Sequence, residues 1–372
     1  MSLSYWEIES WLSDVDYCVV GSGITGLTCA LELRALHPGA RILVLERGVL
    51  PSGASTRNAG FACFGSLTEI LDDQASHSDA EIAALVSDRY LGIQRLRERL
   101  GDQAIDYRPY GGYEVFLDRE AGRFEAALDS MDRINDLLSP VFGRPAFEIR
   151  REGFGMQGIL PDLICNRLEG QLDTGRMMQA LIAKTTEAGI TILNGVEVTG
   201  FEDQGDRVVI GTRDFEFAVR HLLLATNGFA GPLTGLEISP ARGQVLVTQP
   251  VPGLKLRGSF HLQEGYFYFR NVGERILLGG GRHLDKAGET TTDLGQTPGI
   301  QQALEDLLGQ VILPGKSVAI AHRWSGIMGV GSQKKPIVKK LSTNVACGVR
   351  LGGMGVAIGS HVGESLARLV NT

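Results

Sequence analysis

Hydrophobic spacing changes several times along the chain, and each change marks an element. Tyr17-Cys18-Val19-Val20 is an unbroken apolar strand that runs into Gly21-Ser22-Gly23-Ile24-Thr25-Gly26. From Ile24 the apolar positions recur at helical spacing, through Leu27 and Leu31, until His37-Pro38-Gly39 ends the helix. A second apolar run, Leu43-Val44-Leu45, closes on Glu46. The same character returns near Leu172, with a helix predicted over 176–188, strands at 190–193, 196–198 and 207–210, and the apolar strand His221-Leu222-Leu223-Leu224 stopped by Ala225-Thr226-Asn227-Gly228. It returns a third time from about Arg323, ending in a helix predicted over 361–369.

Two stretches of different rhythm lie between these blocks. The first opens with amphipathic helices over 81–100 and 120–138 and includes the aromatic turn Tyr110-Gly111-Gly112-Tyr113. The second carries period-two strands, Tyr266 to Arg270 and Arg275 to Leu278, joined by the turn Asn271-Val272-Gly273-Glu274. Alternation puts Tyr266, Tyr268 and Arg270 on one face, polar enough to meet a substrate, and Phe267 and Phe269 on the other. The expected architecture is α/β, with a Rossmann-like nucleotide domain built from 1–66, 166–232 and 322–372. A second domain, with an antiparallel sheet for substrate, is expected from 67–165 and 233–321.

A chain of 372 residues with 43% hydrophobic content can bury a large core. Its net charge of −7, with no long basic run, argues against nucleic acid and anionic membrane as partners. The basic string around Arg95, Arg97 and Arg99 reads as the solvated face of a helix. Five isolated cysteines without Cys-x-x-Cys pairing read as buried reduced thiols, and the seven histidines show no metal-ligand spacing, so no metal site is expected. With no basic N-terminal region, no signal-like apolar segment and no integral membrane span, the protein is expected to be cytoplasmic.

The Gly-x-Gly-x-x-Gly segment between strand and helix points to a dinucleotide site. Gly21 permits the tight turn, Gly23 lets backbone approach a pyrophosphate, and Gly26 lets helix and strand pack closely. The helix start at Ile24 and Thr25 offers free N–H groups and a positive dipole end to phosphates. Glu46, about 20 residues after the last glycine, can accept hydrogen bonds from both ribose hydroxyls, with Arg47 beside it, and disfavours a 2′-phosphate.

Four motifs in order, the fingerprint with Glu46, Gly53-Ala54-Ser55-Thr56-Arg57-Asn58-Ala59-Gly60-Phe61, Ala225-Thr226-Asn227-Gly228 and Gly352-Gly353-Met354-Gly355, give the chain its family resemblance. Over nearly its whole length it resembles the FAD-dependent oxidoreductases of the D-amino-acid oxidase family, which includes glycine oxidase, D-amino-acid dehydrogenases and monomeric sarcosine oxidase. The resemblance implies a GR2-type FAD domain. It implies that Ser55, Arg57 and Asn58, with Ala59 and Gly60, contact the pyrophosphate and flavin edge, and that main-chain groups of Val198 hold the adenine. Gly352, Gly353, Met354, Gly355 and Val356 would lie against the isoalloxazine, and Ala225, Thr226, Asn227, Gly228 and Gly326 would be further cofactor-binding positions. The implied reaction is hydride transfer from the carbon of an amine or amino acid to flavin N5, giving an imine, with no dedicated general base. O2 or another acceptor would then take the electrons.

The chain also departs from that pattern. Where the glycine oxidase branch carries a carboxylate-clamping arginine, this chain has Met328. Either Arg270 or Arg350 then binds the carboxylate, or the substrate is an amine without one; Arg242 reads as scaffold. No cysteine lies near Ile327 and Met328, so FAD is expected to be noncovalent. Leu277 stands where the sarcosine oxidase branch has its oxygen-activating lysine, with Lys334 and Lys335 on a loop nearby in sequence. Tyr110 and Tyr113 read as pocket or core residues, His322 as packing beside Trp324, and His361 as a helix cap. A 2-hydroxy acid or similar C–O donor, or flavin binding without turnover, stay open as alternatives, as does homo-oligomerisation. A plain NAD dehydrogenase would leave Gly352 to Gly355 without a task.

Overall fold

The computed structural model describes residues 3–370. The unbroken apolar runs form one sheet, in the order Ile337–Lys340, Val345–Val349, Glu216–Leu224, Val15–Val20, Ile42–Glu46, Thr191–Asn194. All neighbours are parallel except the first pair. An antiparallel meander, Val198–Asp203 and Val208–Thr212, folds back from Glu216–Leu224. The runs are unbroken because alternate residues serve two cores. Tyr17, Val19, Val44, Leu223 and Ala346 face one cluster with the helices, whereas Cys18, Val20, Leu43, Leu45, Leu222 and Cys347 face the meander side. All strands of this sheet fall within the three expected nucleotide segments.

The second sheet has eight strands, ordered Ile320–Val330, Ser239–Thr248, Arg275–Gly280, Phe267–Val272, Ser259–Leu262, Gly112–Val115, Leu163–Asn166, Phe147–Arg150. Two expectations are corrected here. The sheet is not wholly antiparallel: Ser259–Leu262 and Gly112–Val115 run parallel, since they come from different inserts and no hairpin joins them. The strand Ile320–Val330, expected from residue 322 onward to belong with the nucleotide segments, pairs along its length with Ser239–Thr248. The first insert is also less separate than its sequence rhythm indicates. Ile82, Val86, Ile93 and Leu96, on the helix Asp79–Leu100, are buried in one cluster with Leu27, Leu33 and Val44.

The final helix spans Gly355–Leu369 and starts six residues before the predicted point, so His361 is not a cap. Its Nε2 stands 3.5 Å from Asp88 Oδ1, and its Nδ1 2.8 Å from an Arg95 nitrogen. The early turns are rich in glycine, which sequence propensity assigns to loop. Their function is close packing. A Cβ on Gly363 would lie 2.5 Å from the Thr25 carbonyl oxygen, and one on Gly359 2.9 Å from Ile24 Cγ2. Among the described residues, no helix is long and apolar enough to cross a membrane.

That crossing sets a stability test. Gly363→Ala should gain helix propensity yet lower the unfolding free energy by about 2 kcal/mol in urea denaturation, because overpacking against backbone outweighs propensity. A stability equal to or above the parent would show that the two helices have room to spare.

Candidate active site

Gly21 adopts φ of 107° and packs its Cα against the end of Glu216–Leu224, where a Cβ would lie 2.8 Å from the Ala225 carbonyl oxygen. A Cβ on Gly26 would sit 1.8 Å from the carbonyl oxygen of Gly21, so the helix starts in direct contact with the turn. Glu46 is buried at the end of its strand. One carboxylate oxygen accepts from Ser22 N at 3.2 Å and Ser22 Oγ at 2.8 Å; the other accepts from Gly48 N at 2.9 Å and Ser52 Oγ at 3.2 Å. Two hydroxyls already converge there, the chemistry a ribose diol requires. The Val196 N–H donates to Glu46 O at 2.9 Å and brings the segment leading to Val198 alongside. Arg47 stacks on Phe229 at 3.7 Å. Ser55 Oγ accepts from the Ile24 N–H at 3.0 Å, at the helix start, while Thr25 is buried facing the final helix.

The loop after Gly53 is held mostly by its own polar side chains. Arg57 donates to Ser52 O and to Ser325 O, each at 3.0 Å, and its carbonyl accepts from Trp324 Nε1 at 2.9 Å. Asn58 Nδ2 donates to Ala54 O at 3.2 Å and Ser55 O at 2.8 Å; its Oδ1 accepts from Gly60 N at 2.8 Å and Thr174 Oγ1 at 2.9 Å. These groups fix the loop's shape. Ala59 is buried with Val245 and Leu277, packed by Phe61 and Tyr268.

At the other end, Asn227 Oδ1 accepts from Leu351 N at 3.0 Å, and Gly352 N donates to Gly329 O at 2.9 Å. A Cβ on Gly228 would lie 2.5 Å from the Met328 carbonyl oxygen, and Met328 Sδ lies 3.8 Å from where Gly353 would carry one. A Cβ on Gly326 would meet Arg57 Cβ at 3.0 Å. Met354 is the N-cap of the final helix without a side-chain cap, Gly355 faces open space, and Val356 is buried. Two helix starts therefore stand together, since Gly359, one turn in, packs on Ile24. The hydroxyl of Thr226 is buried without a partner. Two adjoining helix starts, the final one without a side-chain cap, bare glycine backbone, an orphaned hydroxyl and a buried carboxylate that already accepts from two hydroxyls fit a flavin dinucleotide.

Cross-strand register lines up one row over the second sheet. Tyr268 pairs with His261, which pairs with Glu114; on its other side Tyr268 faces Gly279, then Val245 and Trp324. Phe61 packs edge-on to both His261 and Tyr268, with centroids at 5.3 and 5.5 Å. Tyr268 thus lies on the face turned to the Ala59–Phe61 loop. Tyr266 lies before the strand and packs on His283 at 4.6 Å. Tyr113 is on the opposite face, stacked on Phe260 at 5.1 Å, and Tyr110 is exposed. His322 stacks on Trp324 with centroids 5.8 Å apart.

Both candidate carboxylate clamps have other work. Arg270 is buried and donates to the carbonyls of Ala59, Leu172 (2.9 Å) and Asn271 (3.3 Å), stapling the loop to the sheet. Burial without a hydrogen-bonded carboxylate pulls its pKa down to about 10. Arg350, at φ of 62°, donates through Nε and Nη2 to the Lys335 carbonyl at 3.3 and 2.9 Å. Arg242 pairs with the buried Glu289 at 2.8 Å, as scaffold. Lys334 reaches Glu69 at 3.0 Å and Asp73 at 2.7 Å, while Leu277 sits in the apolar cluster.

Sequence reasoning missed a polar cluster behind the row. Heteroatoms of Cys63, Glu169 and His261 lie within 4.8 Å of one another. Glu114 accepts from Ser66 Oγ and Thr68 N, each at 3.2 Å, and from Thr68 Oγ1; burial still pushes its pKa up to about 7. Glu169 accepts from Phe64 N at 2.9 Å, and burial pushes it up to about 8. Burial pulls His261 down to about 4. A cavity of about 10 Å³ touches Glu114, Glu169, Asn166 and His261, room for one water. The only local hint was an acid inside the apolar strand Gly112–Val115.

Comparison with known proteins agrees with this geometry. The model of the FAD dependent oxidoreductase (DAO) family matches residues 16–369. Gamma-glutamylputrescine oxidoreductase of Escherichia coli is 24% identical over 376 residues, covering 95% of this chain and 83% of that protein. The structure of L-proline dehydrogenase from P. horikoshii superposes with a TM-score of 0.75 at 18% identity, covering 96% of this chain and 93% of the other. Glycine oxidase from Geobacillus kaustophilus gives 0.73 at 20% identity, with 96% and 94% coverage. At these identities the superpositions establish the fold.

Glu114 supplies a test of the buried cluster. Its folded pKa is raised, so the stability it contributes is complete below the carboxyl's unfolded value and declines as pH rises to about 7. Glu114→Gln removes this dependence. The melting temperature of the variant minus that of the parent should climb between about pH 4.5 and about pH 7 and then level off. A difference independent of pH would mean that Glu114 ionises as an ordinary surface acid.

Proposed function

The chain belongs to the FAD dependent oxidoreductase family, and from that premise we propose that it oxidises the C–N bond of a small amine lacking a free α-carboxylate. Membership makes it an FAD-dependent oxidoreductase acting on amino compounds. The substrate restriction is carried by one observation: the guanidinium groups of Arg270 and Arg350 are bound to main-chain carbonyls, and the family resemblance puts Met328 where a carboxylate-clamping arginine is expected. A thioether offers a carboxylate neither charge nor a forked donor. The E. coli relative is named for gamma-glutamylputrescine, whose putrescine end is an amine without a carboxylate on the adjacent carbon, and that supports an amine donor.

In this reading Gly21, Gly23 and Gly26 cradle the pyrophosphate with the Ile24 end of the helix, and Glu46 takes the ribose. Thr226, Gly326, and Gly352 to Val356 meet the isoalloxazine ring. Bound noncovalently, FAD supplies the hydride acceptor. The protein contributes the rest by holding the donor carbon. Phe61, Tyr268 and Met328 form an apolar and aromatic wall that excludes water and leaves the amine nitrogen its lone pair. O2 or another acceptor completes turnover.

The decisive measurement is an anaerobic titration of the FAD-loaded protein, followed in the visible flavin band. Simple amines should bleach it, with α-amino acids weaker by at least about tenfold, the equivalent of ~1.4 kcal/mol for a carboxylate buried without a partner. Bleaching by 2-hydroxy acids but not by amines would overturn the reading, as would a preference for α-amino acids.

A further inference from the structure

An amine reaches such a site mostly as its ammonium ion, which has no lone pair to assist hydride loss. A proton must leave first. We infer that Glu169, reached through the imidazole of His261, accepts this proton from the substrate. The inference rests on the proposed amine substrate and assigns the proton a destination.

Position singles out His261. It lies directly across from Tyr268 in paired strands and touches the edge of Phe61, so it shares the sheet face on which the amine would be held. Its ring packs against Phe61, and a ring nitrogen lies within 4.8 Å of a Glu169 oxygen and of Cys63 Sγ. Its Nε2 is buried without a partner. Asn166 Nδ2, on a side chain only 3% exposed, is likewise without a partner beside the one-water cavity that touches both His261 and Glu169. A water there closes the gap by hydrogen bonds.

The other titratable groups facing His261 are poorly suited. Burial pushes the Tyr268 hydroxyl up to about 12 and the Cys63 thiol well above its ordinary value, so both keep their protons. Glu114 is occupied by Ser66 and Thr68. Glu69 is paired with Arg89 at 3.6 Å and Lys334 at 3.0 Å, and Lys334 also reaches Asp73. Despite its burial, these cations hold Glu69 below the ordinary carboxyl value. Among the described residues Glu169 accepts from main-chain N–H groups and pairs with no cation, and its value of about 8 matches a base working near neutral pH.

The transfer balances as one proton moved. A substrate N–H bond breaks as a bond forms to one imidazole nitrogen; the N–H on the other nitrogen breaks as an O–H forms on the Glu169 carboxylate, directly or through the water. The imidazole returns neutral with its tautomer exchanged, and the amine keeps the electron pair. No electrons change hands in this step. Because Glu169 must be ionised to accept, the rate of flavin reduction should rise with pH to a plateau above about 8.

Glu169→Gln retains an oxygen for the Phe64 N–H while removing the base. At about pH 8 it should reduce flavin about 100-fold more slowly, and its pH profile should lose the limb centred near the Glu169 value. His261→Gln should lose the same limb while FAD content and visible spectrum stay those of the parent. Rates and limbs unchanged in both variants would overturn the inference and leave the amine reading standing. Amines that never bleach the parent would instead remove that reading. In either case infrared spectra test Glu169 itself: of the protonated-carboxyl absorption present at about pH 6 and lost by about pH 10, the part lost near pH 8 must be missing from Glu169→Gln, while the Glu114 part, lost near pH 7, stays. If the variant's spectra match the parent's, Glu169 is not the proton acceptor.

Discussion

The two sheets are joined where Ile320–Val330 meets the loop after Gly53. Arg57 and the strand exchange hydrogen bonds, guanidinium to Ser325 O and Trp324 Nε1 to Arg57 O, and a glycine at 326 lets the backbones approach. Each such bond contributes about 1–3 kcal/mol, more where the guanidinium is the donor. Their larger effect is geometric. They set the distance between the glycine turn and the sheet that carries Tyr268 and Met328, and that distance is the height of the proposed active site. Arg270 repeats the device on the other side of the loop, binding Ala59 and Leu172 carbonyls to the neighbouring strand. Partly buried Arg57 and buried Arg270 thus keep the loop in place, and all three nitrogens of Arg270 are taken by carbonyls.

With Arg270 bound to carbonyls and Tyr268 keeping its proton, the buried carboxyl groups behind His261 are the side chains near the proposed site that titrate close to neutral pH. Burying Glu114 and Glu169 costs stability at neutral pH, because their ionised forms lack nearby cations. Packed helices and sheets elsewhere offset that cost. Such retained strain is expected where residues take part in chemistry rather than in folding alone. Their neighbour Glu69 shows the contrast: with Arg89 and Lys334 attached it remains ionised, and it ties the helix Leu67–Asp73 to the segment around residue 334.

The nucleotide half was legible in sequence because its signals are contiguous. A strand, a glycine turn and a helix start lie within one short stretch, and backbone sterics alone make Gly21 and Gly26 necessary there. Strand alternation also placed Tyr268 and Arg270 together on the correct face. Legibility ended where partners are distant in sequence. Gly359 lay outside the predicted final helix until the fingerprint helix came to lie against it, and Ile320–Val330 looked like the start of a nucleotide block until Ser239–Thr248 paired with it.

Sequence by itself determined the cofactor class and the family, since both are written in local backbone demands and in the order of four motifs. Tertiary structure alone decided the fate of each polar side chain. Nothing near residue 270 or 350 announces that its guanidinium will be claimed by carbonyls at 59, 172 or 335. Nothing near 169 announces His261. The reason is physical: a strand's pattern tells which face a side chain takes, but the groups it meets there are set by cross-strand register and by loops arriving from remote parts of the chain.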